Sequence, residues 1–73
     1  MKILVTGSNG LLGQKLTTLL ESSNDVEAVY TARRPLTYPF TKGQFRQLDV
    51  TNQENVLQVV DEAKPDVIIH TAA

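Results

Sequence analysis

Gly7-Ser8-Asn9-Gly10-Leu11-Leu12-Gly13 is the stretch that decides the fold. Ahead of it runs Lys2-Ile3-Leu4-Val5-Thr6, whose apolar centre predicts a strand buried on both faces, as in parallel sheets. Behind it the period changes. Leu12, Leu16, Leu19 and Leu20 fall at i, i+4, i+7 and i+8, one face of a helix, with Gln14, Lys15, Thr17, Thr18 and Glu21 on the other. Three glycines between such a strand and such a helix have separate uses. The first permits a tight turn, the second lets backbone approach a pyrophosphate, and the third lets helix and strand pack closely. Unpaired N–H groups at the helix start, together with the helix dipole, attract phosphate charge. The alternative is a plain glycine-rich turn. A mononucleotide P-loop does not fit, because Gln14 stands where that motif needs lysine.

Outward from this loop, Ser22-Ser23-Asn24-Asp25 stops the helix and Val26 to Thr31 reads as a second strand. Residues 32 to 44 contain Pro35, Pro39 and Gly43, so an irregular connection is expected, with at most one helical turn. Phe45 to Val50 reads as a third strand. Thr51-Asn52-Gln53-Glu54 matches a capping box with threonine as N-cap, and Val56, Leu57, Val60 and Ala63 follow on one helical face. Lys64-Pro65 ends this helix. Val67-Ile68-Ile69-His70 reads as a fourth, buried strand. The expected class is α/β: a doubly wound parallel sheet of the Rossmann type, β-α-β-β-α-β, with strand order 3-2-1-4 and right-handed crossovers.

Composition narrows the function classes. The 73 residues are 41% hydrophobic and 21% charged, ordinary for a globular domain. Seven basic and eight acidic residues give a net charge of −1, which argues against a nucleic-acid partner. No apolar run approaches a membrane span, and no signal-peptide core is present. With no cysteine and one histidine, neither disulfides nor a metal site is expected. Cytoplasm is the default compartment. A chain this short without such staples should be a compact bundle, a homo-oligomer or a piece of something larger, and its element order favours the last.

With Thr6 in front, the glycine loop resembles the Thr-Gly-x-x-Gly-x-x-Gly fingerprint of the extended short-chain dehydrogenase/reductase family, the NAD-dependent epimerase/dehydratase superfamily. Asp49-Val50 resembles the family's adenine-contacting pair. Pro65-Asp66-Val67-Ile68-Ile69-His70-Thr71-Ala72-Ala73 is similar to its fourth strand. The opening Met-Lys-Ile-Leu-Val-Thr-Gly, the short second crossover and Lys-Pro-Asp-Val-Ile-Ile resemble the dTDP-4-dehydrorhamnose reductase-like branch. The resemblance implies a nicotinamide dinucleotide near Gly7, Ser8, Asn9, Gly10 and Gly13, with Leu11 and Leu12 offering backbone N–H groups. It implies that Val50 walls the adenine and that small Ala72 and Ala73 permit close approach. Residues 1–73 would then be the N-terminal part of an NAD(P)-binding Rossmann domain, without its remainder or the substrate lobe. The parent would reduce a keto group of a nucleotide-linked sugar. A sugar-nucleotide epimerase or dehydratase stays open, as does a non-catalytic nucleotide-binding regulatory subunit or redox sensor.

An NAD-preferring domain carries Asp or Glu about 20 residues beyond the glycine motif. Counting forward lands on Thr31-Ala32-Arg33-Arg34. Two guanidiniums suit the 2′-phosphate of NADP, since their forks pair phosphate oxygens bidentately. NADP is therefore expected, with NAD open; the alternative is two ordinary surface arginines. No residue is assigned to catalysis. Tyr38-Pro39-Phe40-Thr41-Lys42 spells the family's Tyr-x-x-x-Lys, but that motif sits on a helix and Pro39 interrupts this one. Tyr30 reads as a strand residue and His70 as a packed strand histidine.

Overall fold

The computed structural model describes residues 1–71. Its elements are β1 (Lys2–Thr6), α1 (Leu11–Glu21), β2 (Glu27–Ala32), β3 (Gln44–Gln47), α2 (Gln53–Ala63) and β4 (Val67–His70). The strands form one parallel sheet in the order β3-β2-β1-β4. Leu4 is aligned with Val29 on one side and Ile68 on the other. The order reverses direction at β1, so the glycine loop leaves the sheet at the switch point, where open α/β sheets bind ligands.

Strand alternation separates the two faces. Leu4 and Val29 point to one, where with Leu48 they meet Val59, Ala63 and Val56 of α2. Tyr30 points to the other, fully buried, and its hydroxyl donates to Glu21 at the end of α1. Phe40 meets the Tyr30 ring edge-on at 5.6 Å.

Both helices are rotated from the expected faces. In α1 the buried residues are Gly13 and Thr17, with Leu16 and Leu20 half-buried, while Leu12 and Leu19 are exposed. The cause is the third glycine. A Cβ at Gly13 would lie 2.4 Å from the Gly7 carbonyl oxygen, so the glycine's own surface is the contact and it fixes the helix rotation. In α2, Val59 and Ala63 are buried and Leu57 is exposed. The N-cap of α2 is Asn52 rather than Thr51. Asn52 Oδ1 accepts from the Asn55 N–H (3.1 Å), and Asn55 Oδ1 accepts from the Asp49 N–H (2.8 Å). The N-cap half of a capping box is thus made one residue later than expected, while Asn55 reaches past the cap to Asp49 and the Asn52 N–H donates to Asp49 O. Thr51 is withdrawn from the cap because its N–H (2.9 Å) and hydroxyl (2.6 Å) both donate to Asp49 Oδ1. At the other end Lys64 takes a left-handed conformation (φ 49°) and its N–H closes on Val60 O. Pro65 disfavours right-handed helix at that position.

The strand bounds move slightly. The second strand runs one residue later than expected, and the third stops at Gln47, three residues before Val50. The fourth strand is not buried. It pairs with β1 at the sheet edge, leaving Val67 and Ile68 exposed among the described residues. The connection from 33 to 43 contains no helical turn.

Candidate dinucleotide site

The site begins with the backbone. Gly7 has φ 66°, a conformation that glycine adopts at little cost. That turn brings the Gly10 N–H onto Gly7 O at 3.0 Å and sets Gly10 as the N-cap of α1, with no side-chain cap. Gly10 could carry a Cβ only tightly, 3.3 Å from Gly7 O. Among the described residues the N–H groups of Asn9, Leu11, Leu12 and Gly13 donate to no protein acceptor. A run of unspent donors at a helix start, reinforced by the helix dipole, has the chemistry to receive an anion.

Ser8 and Asn9 do different work. The Ser8 side chain is fully buried: it donates to Val5 O (3.3 Å) and accepts from the Thr31 N–H (3.2 Å). With the Ser8 N–H on Thr31 O (3.0 Å), it ties the loop to the end of β2. Asn9 faces outward. Its Nδ2 donates to Arg34 O and Pro35 O, both at 3.2 Å, and its Oδ1 accepts from the Thr37 N–H at 3.1 Å.

Beside the loop lies a cleft of roughly 470 Å³ lined by Gly7, Asn9, Gly10, Ala32, Arg33, Arg34, Leu48, Val50 and Thr51. It joins the glycine loop, the end of β2 and the turn before α2, and its charged lining residues are Arg33 and Arg34. Both arginines are exposed. Arg33 Nε stands 4.0 Å from Asp49 Oδ1, while Arg34 lends its carbonyl to Asn9. The Thr51 hydroxyl and N–H, opposed by some desolvation and helped by Arg33, hold the Asp49 carboxyl below its usual value. Val50 lies at the cleft wall, 39% exposed and open to a planar apolar ligand. Ala72 and Ala73 lie outside the described residues.

A smaller apolar cavity of about 270 Å³ shares Leu48 and Val50 with this cleft and reaches Thr6 and His70. Thr6 Oγ1 lies 2.7 Å from His70 Nδ1 and accepts from the Thr71 N–H at 3.2 Å. A cavity of about 400 Å³ at the opposite end of the sheet is lined by Asp25, Glu27 and Asp66 with Lys2 and the N-terminus. Its carboxylates suit a phosphate ligand poorly.

Three contributors were not legible as site residues. Tyr38 crosses α1 and donates to Ser8 O, while its oxygen lies 2.9 Å from Thr17 Oγ1. Lys42 turns instead toward Asn24 Oδ1 (3.3 Å), so the letters Tyr-x-x-x-Lys describe no paired side chains. Glu21 accepts from the Thr41, Lys42 and Gly43 N–H groups and from Tyr30. Burial pushes its carboxyl up, but these four donors outweigh it and hold the pKa at about 2. Burial, then the Glu21 bond and charge, push the Tyr30 hydroxyl well above its usual range. The partners in these contacts lie 9 to 30 residues apart, and no local pattern announces them. Among the described residues no cluster could hold a metal ion, and no helix is long and apolar enough to cross a membrane.

A parallel 3-2-1-4 sheet with a glycine loop at its switch point defines a Rossmann-like dinucleotide-binding fold. The chain belongs to the RmlD substrate binding domain family, whose model matches residues 1–73. It is 33% identical over 72 residues to dTDP-4-dehydrorhamnose reductase of Aggregatibacter actinomycetemcomitans, covering 99% of this chain and 20% of that protein. It is 38% identical over 73 residues to GDP-6-deoxy-D-talose 4-dehydrogenase of the same organism, covering 100% of this chain and 21% of that protein. Among solved structures, L-threonine dehydrogenase of Clostridium difficile superposes with a TM-score of 0.80 at 32% identity, over 99% of this chain and 24% of that one. The dTDP-glucose 4,6-dehydratase of Bacillus anthracis, solved in complex with NAD, gives 0.76 at 26% identity, over 100% and 27%. The chain thus spans about a fifth of the length of these curated relatives.

Proposed function

We propose that residues 1–73 are the cofactor-binding front part of an NADP(H)-dependent reductase acting on a keto group of a nucleotide-linked sugar. One observation carries the cofactor choice: Arg33 and Arg34 are the charged residues lining the cleft beside the glycine loop, where a carboxylate would select NAD. In this reading the unspent N–H groups of residues 9 and 11–13 receive the pyrophosphate, Val50 and Leu48 wall the adenine, and the guanidiniums receive the 2′-phosphate. The bound cofactor would supply the hydride; this stretch of chain supplies binding and orientation. The sugar-nucleotide assignment leans on relatives whose names describe that chemistry. An epimerase or dehydratase is the second reading, supported by the NAD-bound dehydratase that shares the fold.

Gly10→Val tests the loop. The N-cap conformation (φ −72°, ψ 168°) is open to any residue and the added Cβ meets only Gly7 O, tightly, at 3.3 Å, so circular dichroism verifies the fold while the side chain fills the proposed phosphate position. In the protein that carries residues 1–73, NADPH affinity should fall by about tenfold or more, as expected when charge-assisted contacts are lost. Unchanged affinity in the folded variant would overturn the placement.

A further inference from the structure

The connection between β2 and β3 has no secondary structure of its own, yet one end of it carries both arginines. Its position is set by two side-chain fastenings to the glycine loop. One is the Asn9 carboxamide, which spends three hydrogen bonds on the backbone of residues 34–37. Gln14 Nε2 in turn holds Asn9 O at 3.1 Å, so this residue is braced from the helix side as well. The other is Tyr38, whose hydroxyl donates to Ser8 O from the far side of α1. The phosphate loop and the arginine loop are thus cross-braced into one unit.

We propose that Asn9 is a positioning residue for cofactor specificity: its carboxamide sets the Arg34–Pro35 backbone against the glycine loop, beside the Arg33 carbonyl that Gln47 Nε2 holds at 2.9 Å, so discrimination for the 2′-phosphate depends on it. This rests on the dinucleotide reading above. Tyr38 serves the same unit as the second brace. The chemistry is general. A guanidinium on an untethered loop must be ordered by the ligand, and that entropy is charged against the 2′-phosphate contact alone. A pre-set loop has already met the cost on folding. The pyrophosphate donors belong to the β1–α1 junction, which Gly7 and Gly13 hold by their own backbone packing. Loosening the brace therefore acts more on NADPH than on NADH.

The test titrates NADPH, NADH and 2′,5′-ADP into the protein that carries residues 1–73, its Asn9→Ala variant and its Tyr38→Phe variant, with circular dichroism to verify folding. Tyr38→Phe removes one oxygen atom from a half-buried ring and keeps the packing, so it stays informative if Asn9→Ala unfolds. Asn9→Ala should lower the NADPH-over-NADH preference by about tenfold, with a parallel loss for 2′,5′-ADP. Tyr38→Phe should lower it by a few-fold. A wild-type preference retained by the folded variants, or equal losses for both cofactors, would overturn the role of Asn9 and leave the cofactor site standing. A wild-type protein that binds NADPH and NADH equally would overturn both this role and the arginine assignment.

Discussion

The two crossovers that lead to β2 and β3 are built in opposite ways. The first, from β1 through α1, is made of backbone. Gly7 turns through a positive φ, Gly10 folds back onto Gly7 O, and Gly13 packs against Ser8 and Gly7 with no room for a side chain. The second, residues 33 to 43, is held by side chains: Asn9 and Gln47 grip one end, its own Tyr38 reaches out from the middle and Glu21 grips the other end. A backbone-built junction is rigid and intolerant of substitution. A side-chain-built strap is adjustable and can be loosened one hydrogen bond at a time. The cleft has one wall of each kind, which under the proposed function sets a fixed anion site beside a tunable specificity loop.

The sharpest break in this contrast is Gly13→Val. Its Cβ would fall 2.4 Å from Gly7 O and 2.7 Å from Ser8 Cα, atoms of the backbone that cannot swing aside. Overpacking of this kind should cost about 3 kcal/mol, a large share of a small domain's stability. Urea denaturation followed by circular dichroism checks it; a wild-type midpoint would show that the junction yields.

Glu21→Gln attacks the strap at its far end. The amide keeps one acceptor but loses the charge that three N–H groups and Tyr30 converge on. Because the group is partly exposed, the expected loss is about 1–2 kcal/mol. The pH dependence has a definite sign. The folded pKa of about 2 lies below the ordinary 4.5, so the stabilisation is present above pH 4.5 and disappears as pH falls through 2. Thermal melts across that window should show this acid loss in the wild type, reduced in Glu21→Gln. Identical acid profiles would mean that the carboxylate does not anchor residues 41–43.

The smallest effect lies outside both crossovers. Asn52→Ala should cost about 1 kcal/mol by removing the N-cap of α2, and Thr51→Ala should cost less at the cap itself. The reverse order would restore Thr51 as the cap.

What could be read from the sequence divides along the same line. The strand-glycine-helix junction, the parallel order 3-2-1-4 and the irregular second connection were legible because glycines, prolines and apolar runs act on their own neighbours, although the one helical turn allowed there is absent. The helix faces were misjudged at Leu12, Leu19 and Leu57 because rotation is set by where Gly13 and Val59 touch the sheet, which periodicity alone does not weigh. Thr51 and Asn52 are both competent caps; Asp49 decides between them by claiming Thr51. Burial of β4 was overread from its composition, since an apolar strand at a sheet edge has the same letters as one in the middle. Around the cleft, the glycine turn and the two arginines that line it could be found by spacing. The inward turn of Ser8, the grip of Asn9 and the reach of Tyr38 depend on partners three to thirty residues away.

Under the proposed function the arginine loop reads the 2′-phosphate beside a glycine loop that reads the pyrophosphate. The most direct test of this reading is titration of NADPH and NADH into the protein that carries residues 1–73, with and without the paired substitutions Arg33→Ala and Arg34→Ala. A charge-assisted contact is worth roughly 1.5–3 kcal/mol, so NADPH affinity should fall by about tenfold or more while NADH affinity stays nearly unchanged. Equal losses for the two cofactors, or none for either, would contradict the assignment.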